Sequence, residues 1–100
     1  MVRNGLYKFN AANDLGFTAL MAASLNGHTA TVEWLLSQGV EIERKNKFGH
    51  TALHIAVTEG YMGVVKTLLA QDAEVAEEIA KAAQAKGWAR MVSILQGLAS

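Results

Sequence analysis

Two histidines four residues apart, His50 and His54, are the first candidates for chemistry in this chain of 100 residues. On a single helix that spacing puts both imidazoles on one face, as two ligands of a tetrahedral zinc ion require. Thr51 stands between them and suits a helix N-cap, so His50 is expected to precede the helix that carries His54. A metal-binding unit built on His50 and His54 is therefore the remote reading. The carboxylates of Glu74, Glu77 and Glu78 crowd the start of a helix-forming run, where negative charge complements the helix N-terminus. No serine or threonine occupies a nucleophile elbow, and no glycine cluster follows a strand to cradle phosphate. The chain reads as a non-enzyme, with no catalytic residue, cofactor or metal.

Composition narrows the remaining classes. Hydrophobic residues make up 51% and charged residues 18%, with nine Lys plus Arg against nine Asp plus Glu. That is a globular balance, with no electrostatic footprint for nucleic acid or an anionic membrane. Arg44, Lys45 and Lys47 form the one local basic cluster, read as a solvated loop. No apolar run approaches the roughly 20 residues that span a bilayer, and "MVRNGLYKFN" lacks the apolar stretch of a signal peptide. Cysteine is absent, which removes disulfides and thiolate metal sites. The expected setting is soluble and cytoplasmic.

The elements that would position any site come from a repeat. "GFTALMAASLNGHTATVEWLL" at 16–36 returns 33 residues later as "GHTALHIAVTEGYMGVVKTLL" at 49–69, identical at nine of 21 positions. Thr18 and Thr51 are predicted N-caps, and Gly27 and Gly60 are predicted to end the helices that begin there. Val32, Leu35 and Leu36, like Val65, Leu68 and Leu69, then follow at the i, i+3, i+4 spacing of one helix face. Gly39 should end the first of these second helices, and Asp72 takes the equivalent left-handed position in the second copy. Val40 and Ile42 alternate ahead of a turn-prone stretch, which predicts an extended hairpin between one helix pair and the next.

Two short helices and a hairpin in 33 residues resemble an ankyrin repeat. The motif T-P-L-H-x-A-A appears as Thr18-Ala-Leu-Met-Ala-Ala23 and as Thr51-Ala-Leu-His-Ile-Ala56. Its later part, G-H followed by V-x-x-L-L, appears as Gly27-His28 with Val32, Leu35 and Leu36, and as Gly60-Tyr61 with Val65, Leu68 and Leu69. Proline is absent from both Thr-x-Leu sites, and Met21 replaces the motif histidine in the first copy. The resemblance implies an all-α repeat fold, an ankyrin-like stack of helix pairs joined by hairpin loops. It makes His54 the motif histidine, expected to bond near Thr51, and gives His28 a structural hydrogen bond. The expected divisions are a partial N-terminal repeat, its hairpin half, at 1–12; repeats at 13–45 and 46–75; and a C-terminal capping helix pair at 76–100. In the last of these Ala82, Ala83, Gly87, Val92 and Leu95 continue the pattern with a shortened connection.

Such helix pairs cannot bury their apolar faces alone. The first repeat has no helix pair before it, so its candidates for partial exposure are Met21, Leu25 and Trp34, with helix rotation deciding which of them is uncovered. A longer parent array, packing by Leu6, Tyr7 and Phe9, or self-association through that N-terminal side would each answer this.

Function is expected where the two copies differ. These positions are Asp14, Leu15, Phe17, Leu25 and Asn26 in the first copy, and Lys47, Phe48, His50, Thr58 and Glu59 in the second; Lys45 and Ala12 belong with them. The resemblance implies that hairpin tips and first helices line one concave surface for another protein. Phe17, Leu15 and Phe48 are the expected anchors, since aromatic residues are enriched in interface cores. The alternative is a structural capping segment of a larger repeat protein with no partner of its own.

Overall fold

The computed structural model describes residues 11–88 together with Arg90, Ile94 and Leu95. Expectations for residues 1–10, including the packing of Leu6, Tyr7 and Phe9, lie outside the described residues, as do Val92 and most of the segment expected to form the second helix of the C-terminal pair.

Thr18 and Thr51 act as N-caps. The Met21 N–H donates to Thr18 Oγ1 and the His54 N–H to Thr51 Oγ1, each at 3.3 Å. Behind these caps run α1 (Ala19–Leu25) and α3 (Ala52–Glu59). Each ends in a glycine turn whose next residue bonds back into the helix: His28 N–H to Ala23 O and Tyr61 N–H to Ala56 O, both at 3.0 Å. The hydrogen bond at His28 is thus a backbone one, and its side chain makes no cap bond. The chain reverses at once into α2 (Thr29–Ser37) and α4 (Met62–Ala70), and α5 (Glu77–Ala85) opens the C-terminal unit. Asp72 adopts the left-handed conformation expected of it, with φ 63°. Glu77 and Glu78 sit in the first turn of α5, where they complement the helix dipole.

The helices form two rows. In the inner row α1 packs on α3 and α3 on α5; in the outer row α2 packs on α4, and short turns tie α1 to α2 and α3 to α4. Leu20, Met21, Leu53, Ala56 and Val57 fill the inner contacts, while Val32, Leu35, Val64, Val65 and Leu68 fill the outer ones. Helix rotation turns Met21 into this core, where it is only 1% exposed, and leaves Leu25 and Trp34 exposed. No strand forms among the described residues, so the predicted hairpins are loops closed by turn hydrogen bonds. Val40 nonetheless faces the core and Ile42 packs against it, which accounts for their alternation. No described helix is long and apolar enough to cross a membrane.

A second contact between units was not anticipated. The Tyr61 ring lies against Gly27, whose φ is +70°, so closely that a Cβ there would stand 3.0 Å from the ring. Trp88 covers Gly60 in the same way. Each ring follows a turn glycine of its own and covers the turn glycine of the unit before it. The signal was legible as an aromatic residue after Gly60 and again after Gly87.

Leu53 sits at the centre of the inner row and is 2% exposed. Leu53→Ala is expected to lower unfolding free energy in urea by about 2 to 5 kcal/mol. A change under about 0.5 kcal/mol, typical of surface sites, would contradict this packing.

Candidate functional site

The tips of the loops are built by two asparagines. Asn13 Oδ1 accepts the N–H groups of Leu15 (2.9 Å) and Phe17 (3.0 Å), and Asn46 Oδ1 accepts those of Phe48 (2.9 Å) and His50 (3.1 Å). Backbone bonds close the same five-residue turn in both: Asn13 N–H to Phe17 O and Asn46 N–H to His50 O, each at 3.0 Å. Side-chain acceptance of this kind satisfies backbone donors that a tight turn otherwise strands. Sequence reasoning missed both residues. Extending the 33-residue register only three positions before Gly16 pairs Asn13 with Asn46 and would have found them.

The two turns are also fastened to each other and onward. The Lys47 N–H donates to Leu15 O at 3.0 Å, joining one tip to the next. Glu43 Oε2 accepts the Glu74 N–H at 2.7 Å, joining the connection before the second turn to the one after α4. Preformed tips of this kind lose little entropy when a ligand docks.

The sequence-predicted surface residues divide by burial. Leu15 and Phe48 occupy equivalent places in the two turns and are 50% and 60% exposed. Ala12, Asp14, Lys45 and Lys47 are exposed around them, and Leu25, Asn26 and Glu59 are exposed where α1 and α3 end. Asn26 spends its amide on Ala22 O at 2.9 Å. Thr58 and His50 are half-buried. Phe17 is also partly buried and packs against the core, so part of its ring belongs to the scaffold. On the outer row an open groove of about 430 Å³ runs between α2 and α4, lined by Glu33, Leu36, Lys66 and Ala70 among others. It is separate from the turn tips.

His50 precedes the Thr51 cap and His54 lies in α3, yet their rings meet. They stack with centroids 4.0 Å apart and planes 12° from parallel, and the Phe48 ring stands 6.4 Å from that of His50. Stacked parallel imidazoles direct their nitrogen lone pairs side by side, whereas zinc ligation needs them to converge on one point. No cluster of three or more potential ligands occurs among the described residues. Burial pushes the His54 pKa below its ordinary 6.5, and positive charge on His50 pushes it the same way; the Glu78 carboxylate opposes both.

Two outcomes follow from this geometry. Asn46→Ala should leave the part-buried turn N–H groups of Phe48 and His50 without their acceptor and cost about 0.5 to 1.5 kcal/mol of stability per lost bond, measured by urea unfolding. Because folded His54 holds its proton less tightly than the unfolded chain does, the unfolded state gains protons preferentially as the pH falls. Stability present at neutral pH should therefore decline below about pH 6.5, and melting curves of His54→Gln should decline less over the same range.

A family model described as ankyrin repeats (3 copies) matches residues 1–79. A comparison with curated proteins gives no match. Repeats of this family are generally protein-interaction modules and typically not enzymes. The matched segment takes in both copies of the 33-residue repeat, α1 to α4 and both asparagine-built turns. The chain belongs to the ankyrin repeat family.

Proposed function

We propose that the chain binds another protein on the surface formed by its turn tips and the adjoining ends of α1 and α3. The observation that carries this reading is the pair of large apolar side chains, Leu15 and Phe48, held out to solvent on neighbouring tips that the Lys47 to Leu15 hydrogen bond fastens together. A solvated loop has no need of a fixed tip, and apolar anchors on a rigid frame are what interface hot spots consist of. Lys45, Lys47 and Asp14 would form the polar rim around them, with His50 and Thr58 beneath and Leu25, Asn26 and Glu59 at the helix ends. Phe17 contributes only its exposed edge. The module works by shape and contact, without catalysis, and an intracellular setting fits a chain that has no cysteine.

A two-hybrid or affinity-capture screen with the parent chain identifies the partner, and the double variant Leu15→Ala plus Phe48→Ala tests the surface. Truncating anchors commonly costs about 2 kcal/mol or more, so binding by titration calorimetry should weaken at least about tenfold. Melting should stay within a few degrees of the parent, since both side chains are at least half exposed. Undiminished affinity would move the interface elsewhere.

A further inference from the structure

The contact between His50 and His54 does more than fill space. His54 is anchored in α3, within the inner row. His50 belongs to the second turn, where its N–H and carbonyl are both bonded to Asn46 and its ring neighbours the exposed Phe48. The stack is thus a side-chain link between a rigid helix and the tip that carries the proposed anchor. Two neutral rings carry no net charge to oppose this close, near-parallel contact. Two imidazolium rings 4.0 Å apart repel, so a doubly protonated pair cannot keep this geometry without cost.

We propose that the His50–His54 stack is a proton-sensitive clasp, closed at neutral pH and opened by acid, that sets the position of Phe48 and so regulates binding at the turn tips. The clasp rests on the reading of those tips as a binding surface, and its chemistry can be tested without any partner.

The surroundings of His54 restrict which charges compete. α1, packed on one side of α3, carries no titratable side chain. Lys66, the only one in α4, lines the outer groove with Glu33. In α5, Glu77 lies 3.6 Å from Lys81, and Glu78 is the carboxylate that acts on His54. Glu59 ends α3 itself, and Lys47 is exposed in the second turn. His50 and Glu78 are the charged neighbours that move the His54 equilibrium, in opposite directions: a second proton on the stack works against burial and His50, with Glu78 in its favour. Unperturbed histidine titrates in a mildly acidic medium, and burial together with His50 moves the second protonation of the stack to lower pH than that.

The test uses the free protein, labelled for NMR and titrated from pH 7.5 to pH 5. Nuclear Overhauser contacts between the His50 and His54 ring protons should be present at the upper pH and lost at the lower. Phe48 ring resonances should shift with the same midpoint as His54. In His50→Asn, a half-exposed site whose backbone bonds to Asn46 remain available, the His54 midpoint should rise and the Phe48 resonances should stop following pH. In Glu78→Gln the His54 midpoint should fall. Ring contacts that persist at pH 5, or Phe48 resonances that titrate identically in His50→Asn, would overturn the clasp. Since no partner is present, neither result depends on whether the turn tips bind one. Should the clasp open as described while Leu15→Ala plus Phe48→Ala leaves partner affinity intact, the binding surface is misplaced: the proton-sensitive link between turn and helix stands, and its role in binding falls.

Discussion

None of the described helices can hold itself together. They run from seven to nine residues, while isolated helices shorter than about 12 to 15 are marginal in water. What makes them stable is burial of one helix's apolar stripe against the next, and the side chains that supply it are small or branched: Leu20, Ala23, Leu53, Ala56 and Val57 in one row, Val32, Val64, Val65 and Leu68 in the other. Fully burying a Leu or Val side chain contributes roughly 1.5 to 3 kcal/mol, comparable with the backbone entropy of ordering one or two residues. Each unit is therefore ordered only because its neighbours are, and stability is a property of the row.

That dependence explains the details at the seams. Tyr61 over Gly27 and Trp88 over Gly60 are contacts between one unit and the next, placed where the helical turns leave the core. The bond from Lys47 to Leu15 and the bond from Glu74 to Glu43 do the same for the connections. A ring can lie so close to a turn only if the turn residue has no Cβ, so the requirement at Gly27 combines a left-handed backbone with a neighbour's ring. Local turn chemistry and packing between units are specified by the same residue. Agreement between levels of this kind favours one native arrangement over its competitors.

Most of the scaffold was legible in the sequence because its duties recur. A threonine cap, a glycine stop and an i, i+3, i+4 apolar trio each have one dominant physical use, and seeing them twice at the same offset removes most ambiguity. The predicted hairpins were less faithful. Val40 and Ile42 alternate as strand residues do, but alternation reports only which side chains face the core, and no ladder forms between the described loops. Which of Met21, Leu25 and Trp34 is covered was left open for a related reason: helix rotation decides which residue faces the neighbour, and a seven-residue helix offers too few apolar positions to fix that angle. Leu15 and Phe48 could be named as variable positions from the sequence, while their exposure, and the half-burial of Phe17, required the fold. The histidine stack was hidden because its members lie on opposite sides of a helix cap, where spacing along the chain says little about separation in space.

The second turn is held by three kinds of contact, and they respond differently to acid. The Asn46 bonds join a neutral amide to backbone groups, and the Lys47 to Leu15 bond is backbone to backbone; neither changes with protonation in the range where histidine titrates. Only the imidazole stack does. Opening it would leave the five-residue turn intact and still fastened to its neighbour, while removing a ring contact between the turn and α3. The outcome favoured by this arrangement is a small reorientation of an intact tip. Phe48, whose ring stands 6.4 Å from that of His50, is the side chain that such a movement would displace.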